Sequence, residues 1–197
     1  LSKKWNIPVY AHPIGVKILK SGYKMSPLGF LLNGSVDKFS AKPLLENQVI
    51  DTGKLILQPI YTPGHSQDHY SYYVKEKGWL LSGDLYVADK IKYFSDFESM
   101  KQQIESLKIL SALDFEQLLC SHNPKLKNGK THLLAKLQDL EEFYGKVLEL
   151  HSKGYSLEKI LSETGRKENN IYNIITLGSF CASNMVKSVL RDEGLLV

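Results

Sequence analysis

TPGHSQDH, residues 62–69, is the stretch on which the reading of this chain turns. It closes the apolar run of residues 55–60 and sets His65 in a proline–glycine turn just beyond it. Two later stretches repeat the device. LLSGDLYV (residues 80–87) puts Asp84 past the apolar run 79–81, and LLCSHNP (residues 118–124) puts His122 past residues 118–120. Side chains at the ends of neighbouring strands converge on one edge of a sheet. Two imidazoles and a carboxylate meeting there make a donor set suited to zinc.

Between the second and third stretches lies SMKQQIESLKILSALDFEQLLCSH, residues 99–122. Ser99 predicts an N-cap, with Gln102 three residues on completing a capping box. Met100, Ile104, Leu107 and Leu110 then hold helical spacing. The three stretches in this order, with that helix before the last, resemble the metallo-β-lactamase superfamily. In that family P-G-H follows a strand, a second strand ends in G-D, and a third ends in S-H or G-H after a Ser-Leu helix. The resemblance covers residues 1–132. It implies an α+β fold of the αββα sandwich type and a metal-dependent hydrolase with a two-metal, zinc-type site. It maps His65 onto the third histidine of the first metal, Asp84 onto the catalytic carboxylate that bridges both metals, and His122 onto the last histidine of the second. Esters, thioesters, lactones and phosphodiesters are all substrates of such a fold, so the family leaves the small-molecule substrate open. A non-catalytic binding or scaffold module of the same fold is the alternative.

The family's main metal motif, H-x-H-x-D-H, does not occur in these 197 residues. LSKKWNIPVYAHP, residues 1–13, reads as the helix end and strand that follow it, so the sequence is expected to be a sandwich incomplete at its front. Counting donors, one metal would keep His65 and Asp84 and the other Asp84 and His122. A catalytic zinc typically takes three protein ligands and a water. Weak or absent metal binding, and no activity for the chain alone, are therefore expected. Strand edges left without partners predict a homo-oligomer or swapped dimer.

Composition excludes several classes. Hydrophobic residues at 43% and charged residues at 23% are ordinary for a globular chain, which argues against disorder. The net charge of +4 is mild, and Lys125, Lys127 and Lys130 fall in a loop rich in Gly, Asn and Pro, so they read as solvated. The last predicted helix sets Lys187 and Arg191 against Asp192 and Glu193, which is no DNA-reading face, and no nucleic-acid partner is expected. No apolar run approaches the ~20 residues of a membrane helix. A cytoplasmic location is the default. Cys120 and Cys181 have neither metal nor disulfide spacing and read as buried thiols, Cys120 lying close enough to His122 for a place near the metal.

Along the chain, residues 7–12 read as a strand and 14–48 as a long irregular stretch, either substrate-facing, as the resemblance implies, or a loose connector. Strands follow over 49–53, 54–61, 69–74 and 79–81. After residue 132 the pattern turns helical: Leu133, Leu137, Leu140, Tyr144, Val147 and Leu148 mark a long amphipathic helix. Gly154 ends it, Ser156 caps a second helix through Leu161, and two more follow over 171–177 and 182–192, with no strand. This divides the chain into a domain over 1–132 and a helical region over 133–197, too small to be stable alone and so expected to pack on the first. That region either closes over the mouth of the site or mediates dimer contacts. Of the other histidines, His69 reads as a support for the turn, His12 as a loop residue, and His132 and His151 as surface groups. Tyr86 and Tyr93 are core or cleft aromatics.

Overall fold

The computed structural model describes residue 4 and residues 7–22, 38–46 and 48–196. Near its start, β1 (Tyr10–Ala11) pairs in parallel with β2 (Lys42–Pro43), a shorter element than the strand predicted over 7–12. Between them stands α1 (Pro13–Ser21), where the sequence predicts an irregular stretch. Pro13 occupies the first helical position, where a missing N–H is harmless. His12 Nδ1 accepts the Ile14 N–H at 3.2 Å, so His12 is a cap rather than a plain loop residue. Its ring also stacks on Tyr61 at 4.6 Å. Pro27, Gly29 and Gly34 of the predicted loop lie outside the described residues.

The main sheet has five strands. β3 (Ile50–Asp51) and β4 (Ile56–Tyr61) form a hairpin, and β5 (Tyr70–Val74) and β6 (Trp79–Leu81) continue it antiparallel. A 3-10 turn at Lys75–Lys77 ends at Gly78 in the left-handed region and closes the β5–β6 link. A second small sheet pairs β7 (Phe94–Ser95) with a later segment, and β8 (Gln117–Leu119) joins the main sheet parallel to β6. β4 and β6 are both antiparallel to β5, and β8 is parallel to β6. So β4, β6 and β8 run the same way and end at the same edge of the sheet.

Five further helices follow: α2 (Met100–Ser111), α3 (Gly129–Ser152), α4 (Leu157–Glu163), α5 (Asn170–Ile175) and α6 (Ser183–Asp192). Ser99 caps α2 by accepting the Gln102 N–H at 3.2 Å, but the reciprocal half of the capping box does not form. Gln102 instead accepts from Gln67 at 2.9 Å, and the Ser99 N–H donates to the Gly64 carbonyl at 2.9 Å. Ser156 caps α4, as its sequence predicts. Between α5 and α6, β9 (Phe180–Cys181) pairs antiparallel with β7, correcting the expectation of no strand after residue 132. A two-residue strand carries no alternation to detect. Only its tertiary partner reveals it. Among the described residues no helix is long and apolar enough to cross a membrane.

Burial drives the packing. α2 turns Met100, Ile104, Leu107 and Leu110 inward, and α3 turns Leu133, Leu137, Leu140 and Val147 inward. They share one cluster with Leu80 and Leu118 of the sheet and with Met185, Val186 and Val189 of α6. Each such side chain contributes about 1.5–3 kcal/mol by leaving water.

Candidate functional site

Each of the three strands that run together ends in one of the singled-out residues. His65 follows β4, Asp84 sits in a 3-10 turn (Gly83–Leu85) after β6, and His122 follows β8. Local chemistry fixes each turn. Gly64 has φ +131°, and a Cβ there would fall 2.5 Å from the Gln103 backbone nitrogen, so the loop carrying His65 can lie flat on α2 only as glycine. Ser106 of α2 donates to the Pro63 carbonyl at 2.7 Å and holds the loop down. At the second turn Gly83 has φ +51°, and a Cβ would fall 2.6 Å from His69 Nε2. At the third, the Asn123 N–H donates to Cys120 Sγ at 3.2 Å, so that thiol shapes the turn bearing His122. Cys120 is half-buried and Cys181 buried, both free.

The three side chains meet. Asp84 Oδ2 lies 3.7 Å from His65 Nε2, and Asp84 Oδ1 lies 3.2 Å from His122 Nε2. A tetrahedral ion with bonds of about 2.1 Å needs donors about 3.4 Å apart, so these two separations bracket what such an ion requires. The donor types fit as well. The number does not: among the described residues no group of three or more His, Cys, Asp or Glu side chains could hold one ion. Each oxygen of Asp84 faces one imidazole, which makes two donors per position.

The surroundings are asymmetric. Glu98 Oε2 approaches His65 Nδ1 at 3.3 Å, and the hydrogen bond to that carboxylate holds His65 above the ordinary imidazole range, against the opposing effect of burial. Burial, and then the nearby His65, push His69 down to about 4. His69 is thus neutral at pH 7, with Nδ1 2.9 Å from the Thr62 hydroxyl, itself 3.0 Å from the Ser71 hydroxyl. The threonine of T-P-G-H therefore orients His69 over Gly83, in keeping with a supporting role. His132 is not the surface group its sequence suggests. It is half-buried, with Nδ1 3.0 Å from Asp89, whose Oδ1 also accepts the Tyr86 hydroxyl at 2.5 Å. Tyr86 is core. His151 is half-buried at the end of α3.

A cavity of 370 Å³ opens at the three residues. Apolar Val87, Ile91, Phe94 and Phe180 and polar Glu98, Gln103 and Lys136 line it together with His65, Asp84 and His122. Phe180 and Lys136 both come from beyond residue 132, so the helical region helps build this cavity. Glu98, Gln103 and Lys136 escaped the reading of the sequence. For two of them the signal was a polar residue on an apolar stripe, Gln103 among Met100, Ile104 and Leu107, and Lys136 between Leu133 and Leu140; Glu98, ahead of the helix cap, carried none.

Comparison with known proteins places the chain in a family. In curated proteins, the chain is 32% identical over 90 residues to a hydroxyacylglutathione hydrolase of Legionella pneumophila (strain Corby), covering 45% of this chain and 35% of that protein. It is 34% identical over 84 residues to a "probable metallo-hydrolase" of Bacillus subtilis (strain 168), covering 42% of this chain and 39% of that one. The chain thus spans well under half the length of these two relatives. Among solved structures, a beta-lactamase domain protein from Burkholderia ambifaria superposes with TM-score 0.65 at 17% identity, over 97% of this chain and 61% of that one. A metallo-beta-lactamase family protein from Thermus thermophilus superposes with TM-score 0.63 at 16% identity, over 95% and 67%. These structures share the fold. The family model of the metallo-beta-lactamase superfamily matches residues 1–122, the span that carries all three strand-end residues, and the chain belongs to that superfamily.

Proposed function

We propose that this chain carries the His65–Asp84–His122 part of the metal site of a zinc-type hydrolase acting on a thioester or related ester. The observation that supports it most is the placing of one carboxylate between two imidazoles, at 3.7 and 3.2 Å, where three like-directed strands end. Asp84 offers a separate oxygen to each imidazole, so its carboxylate could serve an ion beside either one. A bound divalent ion would lower the pKa of its water and polarise the substrate oxygen. The chain's own residues present the donors, keep His69 neutral beside them, and line the cavity in part with apolar side chains. Thioester chemistry is favoured by the relatives named as hydroxyacylglutathione hydrolases, at about 32% identity.

With two donors for each ion, the chain by itself binds metal weakly and does not turn over substrate. The test is metal analysis after zinc loading and dialysis, alongside His65→Ala, Asp84→Ala and His122→Ala, with an S-acyl thioester assay. The expected result is zinc that washes out of the wild-type chain, micromolar or weaker binding that each substitution reduces further, and no thioester hydrolysis. Tightly held, near-stoichiometric zinc would overturn the weak-binding claim. Zinc binding indifferent to all three substitutions would overturn the site itself.

A further inference from the structure

A line of buried polar side chains runs from the helical region to His65. Lys136 of α3 is 1% exposed, Gln103 of α2 1%, and Glu98 5%. Lys136 Nζ donates to the Leu85 carbonyl and to Gln103 Oε1, the latter at 3.1 Å. Gln103 Nε2 donates to Glu98 Oε2 at 2.7 Å, and that same oxygen lies 3.3 Å from His65 Nδ1. The other oxygen of Glu98 accepts the Ser95 N–H at 2.9 Å. α6 pins the Glu98 backbone, since Ser188 and Arg191 both donate to its carbonyl, at 2.9 and 2.5 Å.

Chemistry dictates the direction of every link. An ammonium has donors only, so it must face the oxygen of the Gln103 amide. That turns the amide nitrogen towards Glu98, whose carboxylate only accepts. His65 Nδ1 is then left as the donor, and its Nε2 carries the lone pair. The 3.7 Å from Nε2 to Asp84 is beyond hydrogen-bond reach, which agrees with an Nε2 that does not donate there.

We infer that Glu98 is the positioning residue of this site, locked by Gln103 and Lys136, and that the relay holds His65 as its Nδ1–H tautomer with Nε2 turned towards Asp84. The purpose of the device rests on reading His65 as a metal donor; its geometry does not. A carboxylate or other acceptor behind a ligating imidazole fixes ring and tautomer and raises the basicity of the ligating nitrogen. The relay also explains a cation in an apolar stripe. Among the described residues Lys136 makes no direct ion pair, and an ammonium buried that way persists only where its hydrogen bonds are made. Burial draws it down to about 8, so at neutral pH it is still largely charged and able to orient the amide.

The test is ring ¹⁵N–¹H correlation spectroscopy of His65 in the metal-free chain, at a pH where the ring is neutral. The wild type is expected to show Nδ1–H as the dominant tautomer. Lys136→Met and Glu98→Ala are expected to move it towards Nε2–H, the preference of a free imidazole side chain. Binding of Zn²⁺ alone is expected to weaken about 10- to 100-fold in Glu98→Ala and less in Lys136→Met. A wild-type ring in the Nε2–H form would overturn the inference, as would folded variants that keep Nδ1–H. Should Glu98→Ala fail to fold, the wild-type spectrum and Lys136→Met still decide. Zinc binding that His65→Ala and Glu98→Ala both leave unchanged while the tautomer moves would sink the metal reading and leave the positioning role standing.

Discussion

Lys136 occupies a helix position where leucine would be ordinary, three residues after Leu133 and four before Leu140. Its burial has a consequence that can be measured without knowing any substrate. The ammonium titrates near 8 in the folded chain against an ordinary 10.5, because desolvation outweighs the attraction of Glu98, Asp139 and Asp84. Between those values the unfolded chain keeps the proton and the folded chain has shed it, so wild-type stability rises with pH across that window. At neutral pH both states are charged, and the cost of burying the cation is carried in full. The difference in unfolding free energy between wild type and Lys136→Met is therefore expected to grow in favour of wild type from pH 7.5 to 10.5. Its upper bound is about 3 kcal/mol, at about 1.4 kcal/mol per pKa unit. Paired urea titrations at the two pH values measure it, and a flat difference would mean the ammonium is not desolvated.

One loop and one helix form the unit that places His65. Ser99 and Ser106 of the α2 region bond the carbonyls of Gly64 and Pro63, at 2.9 and 2.7 Å, and Gly64 lies flat against Gln103. This is why the helix with its Ser-Leu pattern accompanies the P-G-H turn: the serine is the clamp and the glycine the bearing surface. Gly64→Ala is expected to destabilise by about 1–3 kcal/mol from backbone conformation alone, with more from the 2.5 Å approach to Gln103. Chemical denaturation checks the loss, and a shift of the His65 ring resonances would report the displaced loop. The same unit shows where local rules gave way. Ser99 and Gln102 carry the capping-box pattern, yet the Ser99 N–H found a tertiary acceptor in Gly64 and Gln102 turned out to Gln67.

For the molecule as a whole, the change to helices after residue 132 is a change of pattern and does not divide the core. One buried cluster contains Leu80, Leu107 and Leu118 together with Leu133, Leu140, Val186 and Val189. β9 closes on β7, and Ser188 both accepts the Met100 N–H at 2.8 Å and donates to Glu98. A chain cut at residue 132 is expected to lack a cooperative unfolding transition and to collect in the insoluble fraction, since α2 would lose its partners on α3 and α6. A soluble fragment with a sharp thermal transition would show instead that the first 132 residues fold alone.

The identity of the three strand-end residues was legible in local patterns, an apolar run, a turn glycine and a ligand-type side chain, while their common edge and the α+β sandwich were expected from the order of those motifs and the family they resemble. α1 was hidden by its glycine and proline content and β9 by its brevity. Glu98 carried no signal, and Gln103 and Lys136 were hidden for a different reason. A polar residue on an apolar face tells only that something unusual is buried there. What it touches is decided by segments distant along the chain, brought within hydrogen-bond reach when the core closes.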